Sequence, residues 1–201
     1  MLLVGLTGGM ACGKSFVAAA LREFGCHVIE ADELGHEVLR PDGEAYAEVV
    51  AAFGMDILDA EGLIDRPKLA AIAFGDPAQL KRLNAIVHPA VRKRAQRQFR
   101  EIADRDPHAV VIYVVAILIE SGAWRGMDKI IVVSCNREQQ IARAMHRPGA
   151  VESGVLARLE SQMPVDEKQT FADYVIDTSG TKEETVRQTA IVYQDLRRLA
   201  S

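Results

Sequence analysis

The sequence predicts an α/β protein built on a parallel sheet that helices cover on both faces. Three observations predict it. Short unbroken apolar segments rich in Val, Ile and Leu recur along the chain, as in strands buried on both faces. Stretches with apolar residues at helical spacing lie between them. The first apolar segment runs into a glycine-rich loop, and a helical pattern follows directly. A length of 201 residues suits one domain that carries an insertion. Hydrophobic residues make up 49% and charged residues 26%, close to the globular average, which excludes a wholly disordered chain. A net charge of -4 argues against a nucleic-acid partner, which needs a basic surface.

Leu2 to Leu6 is the first strand. Phe16, Val17, Ala20, Leu21 and Phe24 then repeat at helical spacing, and Gly25 stops that helix. Val28-Ile29 is a second strand, ending at Glu30-Ala31-Asp32. Residues 33–106 differ in character. They read as helix almost throughout, broken at Pro41-Asp42-Gly43, Gly54, Gly62, Asp76-Pro77 and His88-Pro89. The stretch is too long for a simple crossover, so it reads as a helical lobe inserted into a single domain spanning 1–201. Ala109 to Ile119 is the longest apolar run and the best buried-strand candidate. It is well short of the ~18 residues of a membrane-spanning helix. Lys129 to Ser134 and Tyr174 to Ile176 are two further strands, with helical stretches carrying Arg143, Arg147 and Arg158 between them. A final helix runs from Lys182 to Leu199, with Val186, Ala190, Tyr193 and Leu196 at helical spacing.

The N-terminus lacks the basic region of a signal peptide. Cys12, Cys26 and Cys135 are widely spaced with no CxxC, which reads as reduced thiols of a cytoplasmic protein without a disulfide framework or a zinc site.

Chemistry enters at Gly8-Gly9-Met10-Ala11-Cys12-Gly13-Lys14-Ser15, which fits G-x-x-x-x-G-K-[ST]. A polyphosphate needs several backbone N–H groups pointing into one concave loop, and glycines permit the dihedrals that make it. The following helix N-terminus adds its positive dipole end. Lys14 supplies a point charge for the β- and γ-phosphates, and Ser15 a hydroxyl for Mg²⁺. The rest of the chain narrows the use of the nucleotide. There is no N/T-K-x-D base-reading motif of a GTPase, and the chain is too short for a motor ATPase. A small P-loop core of the nucleoside-monophosphate-kinase type, with a helical insert after its second strand, reads as a small-molecule kinase.

Several segments go further. Gly5-Leu6-Thr7-Gly8-Gly9, Ala31-Asp32, Leu83-Asn84-Ala85-Ile86-Val87-His88-Pro89 and Leu118-Ile119-Glu120 resemble dephospho-CoA kinases. So do Gln140-Ile141-Ala142-Arg143 with Arg147, Arg158 with Gln162, and Ala172-Asp173-Tyr174-Val175-Ile176-Asp177. The resemblance runs in order over nearly the whole chain, and the L-N-x-I-x-H-P and A-D-x-V-I-D segments are its most particular parts. It implies transfer of the γ-phosphoryl of ATP to the ribose 3′-hydroxyl of dephospho-CoA, giving CoA and ADP, the last step of CoA biosynthesis. It also implies a CoA-binding role for the lobe at 33–106 and a lid at about 145–165. The expected partners are dephospho-CoA and ATP with Mg²⁺, with no nucleic acid and no membrane, in a monomer or weak homo-oligomer. Three positions depart from the family pattern. Glu30-Ala31-Asp32 stands for Asp-Ala-Asp, Ala116-Ile117-Leu118 for Pro-Leu-Leu, and Asp177-Thr178 for Asp-Asn.

The expected roles follow residue by residue. Gly9, Met10, Ala11, Cys12, Gly13, Lys14 and Ser15 cradle the nucleotide, with Ser15 towards the metal. By spacing alone, Asp32 is either a general base or the cap of a helix starting at Glu33. The resemblance implies the base, beside Lys14 and Arg147 as the other catalytic residues. Arg143 and Arg147 are four apart and share a helix face if the helix is regular, either as nucleotide ligands or as a solvated face. His88 is either a helix N-cap or turn histidine, or a substrate ligand. Glu120 either meets substrate or marks where a strand leaves the core. Arg92, Lys93, Arg94, Arg97 and Arg100 form a basic stripe that is either solvated or steers an anion. Cys12 is either a small filler or, with its pKa lowered by the helix N-terminus, an oxidation-sensitive thiol. Three rival functions stay open at this point: a kinase for another acceptor, a nucleotide-binding regulatory module without transfer activity, and a CoA-binding scaffold.

Overall fold

The computed structural model describes residues 1–146 and 149–201, except the side chain of Arg158. The chain divides into two compact units, Met1–Ile29 with Ile102–Ser201, and Glu30–Glu101.

The first unit is built on a sheet. β1 (Leu2–Gly8) leads through the glycine loop into α1 (Lys14–Glu23), and β2 (His27–Glu30) follows. The described strands lie in the order β2-β3-β1-β4-β5. β1 runs parallel to both β3 (Val110–Val114) and β4 (Lys129–Ser134), and β4 runs parallel to β5 (Tyr174–Asp177). The register pairs Gly8 with Val133 and Ser134 with Asp177. The carboxyl ends of β1, β4 and β5 therefore line up at one edge. In open α/β sheets that edge is where ligands bind. α1 packs its Val17, Ala18 and Leu21 on the sheet. The last helix (Lys182–Leu199) does the same with Val192 and Leu196, and its start is held by a capping box between Thr181 and Glu184. Val4, Leu6, Val110, Ile112, Ile131, Val133 and Ile176 complete this core.

The second unit holds α2 (Ala31–Glu37), α3 (Tyr46–Phe53), α4 (Arg66–Gly75) and most of α5 (Pro77–Arg105). Val38, Val49, Ile57, Leu69 and Ala90 form its own core. Asp65 caps α4 by accepting from the Lys68 amide, 3.1 Å away. Arg94 bridges Glu37 and Glu44 at 3.0 and 3.1 Å, and Arg97 reaches Glu44 at 3.4 Å. Two members of the expected basic stripe are thus committed to ion pairs within the unit. Beyond β4, α6 (Arg137–Met145), α7 (Glu152–Ser161) and α8 (Val165–Gln169) precede β5, and the long last helix is α9.

Two sequence expectations are corrected. The helix does not break at His88-Pro89, because α5 runs straight through. An internal Pro removes one helix hydrogen bond and costs ~3 kcal/mol in isolation. Here Leu83, Ile86 and Val87 before it and Ala90 and Val91 after it pack into one apolar cluster, which offsets the loss. The expected strand 109–119 is paired only over Val110–Val114. Leu118 and Ile119 turn away into a separate cluster with Ile130, Val132 and Trp124. The apolar run marks burial, and strand pairing covers only its first half.

Candidate active site

Gly8 ends β1 with φ +151°, so close to β4 that a side chain would run into the Val133 carbonyl. Gly13 sits at φ +84° as the residue before α1, a left-handed conformation that glycine adopts without strain. Its carbonyl accepts from the amides of Phe16 and Val17 at 3.0 and 3.2 Å, which starts the helix. Ala11, at φ 60°, is the only non-glycine at positive φ among the described residues. No sequence signal marks it, because the motif leaves that position open. The result is a concave loop closing on a helix N-terminus, the arrangement that binds phosphate.

The Lys14 ammonium donates to the carbonyls of Gly8 and Gly9 at 3.0 and 2.9 Å, so it folds over the loop itself. Ser15 is exposed in the first turn of α1. Cys12 is fully buried with its side chain beneath the loop. Burial, followed by the hydrogen bond with Cys135, pushes its thiol up to about 12. The alternative of a thiol lowered by the helix N-terminus therefore falls away, and the small-filler reading is left. A cavity of ≈ 510 Å³ opens beside Gly9, lined also by Cys135, Arg137, Gln140, Gln162 and Asp166. The buried carbonyl oxygen of the Gln162 side chain has no donor among the described residues.

Arg143 lies on α6 and spends two of its N–H donors on Thr178, at 3.0 Å to the hydroxyl and 2.8 Å to the carbonyl. Thr178 is buried after β5, and its hydroxyl lies 2.9 Å from the Cys12 carbonyl and 3.1 Å from the Ser134 carbonyl. Thr178 therefore ties the loop, the end of β4 and Arg143 together. Thr178→Val leaves the Cys12 carbonyl and one guanidinium N–H short of a partner, while the Ser134 carbonyl keeps the residue-178 amide at 2.9 Å. It is expected to destabilise the fold by about 1–3 kcal/mol and to raise the KM for ATP, whereas Thr178→Ser stays near the parent. Thermal melts and ATP titration check both. Arg147 lies outside the described residues.

Glu120 meets the ammonium of Lys168 at 2.9 Å and the Met163 amide at 3.2 Å. Lys168, on α8, is fully buried and also donates to the Ala116 carbonyl at 2.9 Å. Thr7 donates to that same carbonyl at 3.2 Å. Only the backbone of Ala116 is used in these contacts. Sequence reasoning missed Lys168, because a lysine in a polar helical stretch reads as solvated. Glu120→Ala strands this buried charge and is expected to cost about 3–5 kcal/mol. That is a fall in Tm on the order of 10 °C, while Glu120→Gln loses less. Calorimetry reads the difference.

In the second unit, Asp32 is exposed in the first turn of α2. The helix starts at Ala31 and its cap position is Glu30, so the capping role for Asp32 falls away. His88 is exposed in the middle of α5, not in a turn. Partial desolvation and then the Arg92 cation hold its imidazole below its usual range, so it is neutral at pH 7.

A glycine-built loop between a central parallel strand and a helix N-terminus defines a P-loop nucleotide-binding protein. Comparison with known proteins sharpens the class. The family model for dephospho-CoA kinase matches residues 2–184. The dephospho-CoA kinase of Geobacillus kaustophilus is 46% identical over 187 residues, 93% of this chain and 92% of that protein. That of Leifsonia xyli is 41% identical over 197 residues, 98% and 100% of the two. The solved dephospho-CoA kinase from Campylobacter jejuni is 25% identical and superposes with a TM-score of 0.75 over 98% of each chain. The chain belongs to the dephospho-CoA kinase family.

Proposed function

We propose that this chain transfers the γ-phosphoryl group of ATP to the ribose 3′-hydroxyl of dephospho-CoA, releasing CoA and ADP. The observation that carries the reading is the phosphate loop at residues 8–15 in a chain that the family model matches over residues 2–184. The loop amides and Lys14 hold the β- and γ-phosphates, and Arg143 adds a cation beside them. On binding, the Lys14 ammonium exchanges the Gly8 and Gly9 carbonyls for phosphate oxygens. Arg147, by its place in the family pattern, answers the charge that develops on the transferring group. Asp32 accepts the proton of the attacking hydroxyl. Its exposure, with no cap to form, supports that role. Neutral His88 suits a hydrogen bond to the acceptor better than a charge contact with its diphosphate.

The described residues hold no cluster of three or more His, Cys, Asp or Glu able to bind a metal by themselves. Mg²⁺ therefore fits as a partner of the triphosphate, with the exposed Ser15 hydroxyl as the one protein ligand we assign. There it would neutralise charge on the phosphate oxygens. Among the described residues, no helix is long and apolar enough to cross a membrane. ADP release from ATP with Mg²⁺ tests the function, run with dephospho-CoA and then with adenosine, AMP, CMP, pantothenate or no acceptor. Release that depends on dephospho-CoA is the expected result. Dependence on another acceptor would reassign the enzyme, and release with none would make it a hydrolase.

A further inference from the structure

We propose that Cys12 and Cys135 form an oxidative modification site, a dithiol under the phosphate loop that a hydroperoxide closes to a disulfide. The two are 123 positions apart in sequence, yet their sulfurs lie 2.8 Å apart. A disulfide bond is ~2.05 Å long, so closing it brings the sulfurs about 0.75 Å closer. The two thiols differ in access. Cys135 is half-buried, directly after β4, and lines the cavity beside Gly9. Cys12 is fully enclosed, and burial keeps it protonated. The oxidant therefore reaches Cys135 first and Cys12 completes the bond.

The step balances. Cys135 gives up its proton, its thiolate attacks one oxygen of hydrogen peroxide, the O–O bond breaks, and the other oxygen leaves as hydroxide, which takes that proton to become water. The sulfenic acid so formed is attacked by Cys12, the S–O bond breaks, and its hydroxyl leaves as a second water with the Cys12 proton. Two thiols lose two electrons in all and one peroxide gains them. Cys26 stands apart, with no thiol partner, and its burial also pushes it up, to about 11.

The bond acts on the loop because Cys12 is part of it. Its amide donates to Gly9 at 3.3 Å, and its carbonyl takes the Thr178 hydroxyl. Gly9 is itself packed among Cys12, Gln140 and Val165. Drawing Cys12 towards the end of β4 moves amides that a triphosphate needs in place. This effect on turnover rests on the phosphate-loop reading of the function. The bond itself does not.

The test treats the full chain with hydrogen peroxide and digests it with trypsin without reduction. The expected product joins residues 1–14 to residues 130–137, two hydrogens lighter than the sum, while Cys26 stays free in residues 23–68, since Arg40 and Arg66 each precede a proline. Dephospho-CoA-dependent turnover is expected to fall at least about tenfold and to return with dithiothreitol, as a reversible disulfide should. Cys135→Ala is expected to keep its activity through the same treatment, and Cys26→Ala to lose it as the parent does. Peptides 1–14 and 130–137 recovered separately after oxidation would overturn the site, whatever the activity does. Equal loss in Cys135→Ala and the parent would overturn the link to turnover. Should the variant fold poorly, Cys135→Ser and the peptide map of the unsubstituted chain decide the matter.

Discussion

Asp32→Asn is expected to lower dephospho-CoA-dependent turnover by about 10²–10⁴-fold, the usual contribution of a positioned general base. A ribose hydroxyl is a weak nucleophile, and the amide that replaces the carboxylate takes up no proton. ATP affinity is expected to stay near the parent, because the phosphate loop lies in the other compact unit and Asp32 makes no part of it. Stability changes little, within roughly 0.5 kcal/mol, since the residue is exposed and caps nothing. Steady-state rates with varied dephospho-CoA, beside an ATP titration, separate these effects. A variant that kept more than half of the parent's kcat would remove Asp32 from the chemistry. The same variant addresses the rival reading of a regulatory module, which would have no transfer activity to lose.

Lys14→Ala is the second large effect, an expected loss of about 10²–10³-fold in kcat/KM, as for removal of one strong donor from a developing oxyanion. The Lys14 ammonium donates to two carbonyls, Gly8 and Gly9. Binding therefore exchanges partners, and the net gain on binding is modest. The larger gain comes as charge builds on the transferring oxygens, so kcat falls more than KM rises. Lys14→Arg does not rescue, because a planar fork cannot follow a loop shaped for a compact point charge. Rates over a range of ATP concentrations read the split. A change confined to KM would mean that Lys14 only binds.

Much of this site is legible in the sequence because its chemistry is local. The loop needs glycine at residues 8 and 13, a lysine and a hydroxyl in fixed order, and a strand before them. All of these fall within fifteen residues. The strand at 129–134 is legible for a similar reason, since a β-branched apolar run bounded by polar residues describes a strand covered on both faces, and the short strand at 174–177 is legible by its own apolar run although only Ile176 is buried. The misreadings share a cause. Apolar runs report burial without saying what covers them, so Ala109–Ile119 reads as one strand although its second half serves another cluster. Pro89 reads as a break because the packing that holds its helix comes from α3 and α4, far off in the chain.

The supports of the loop are illegible for a stronger reason. Thr178 reaches the Cys12 carbonyl across 166 positions, and Cys135 reaches the Cys12 sulfur across 123. No spacing rule spans such gaps. Thr178 departs from the family pattern, and the structure gives it a use that the sequence could not supply. It joins Arg143 to the loop. Lys168 is the sharpest case, because a fully buried ammonium in the stretch Val165–Gln169 runs against every expectation from composition. Only its acceptors, the Glu120 carboxylate and the Ala116 carbonyl, make sense of it.

The most direct test of the central claim is the structure of the product. Dephospho-CoA, ATP and Mg²⁺ are incubated with the chain, and the product is examined by mass spectrometry and phosphorus NMR. The expected product carries one added phosphoryl group, placed on the ribose 3′-hydroxyl, with ADP formed in equal amount. A phosphoryl group on any other oxygen, or inorganic phosphate in place of a phosphorylated product, would contradict it.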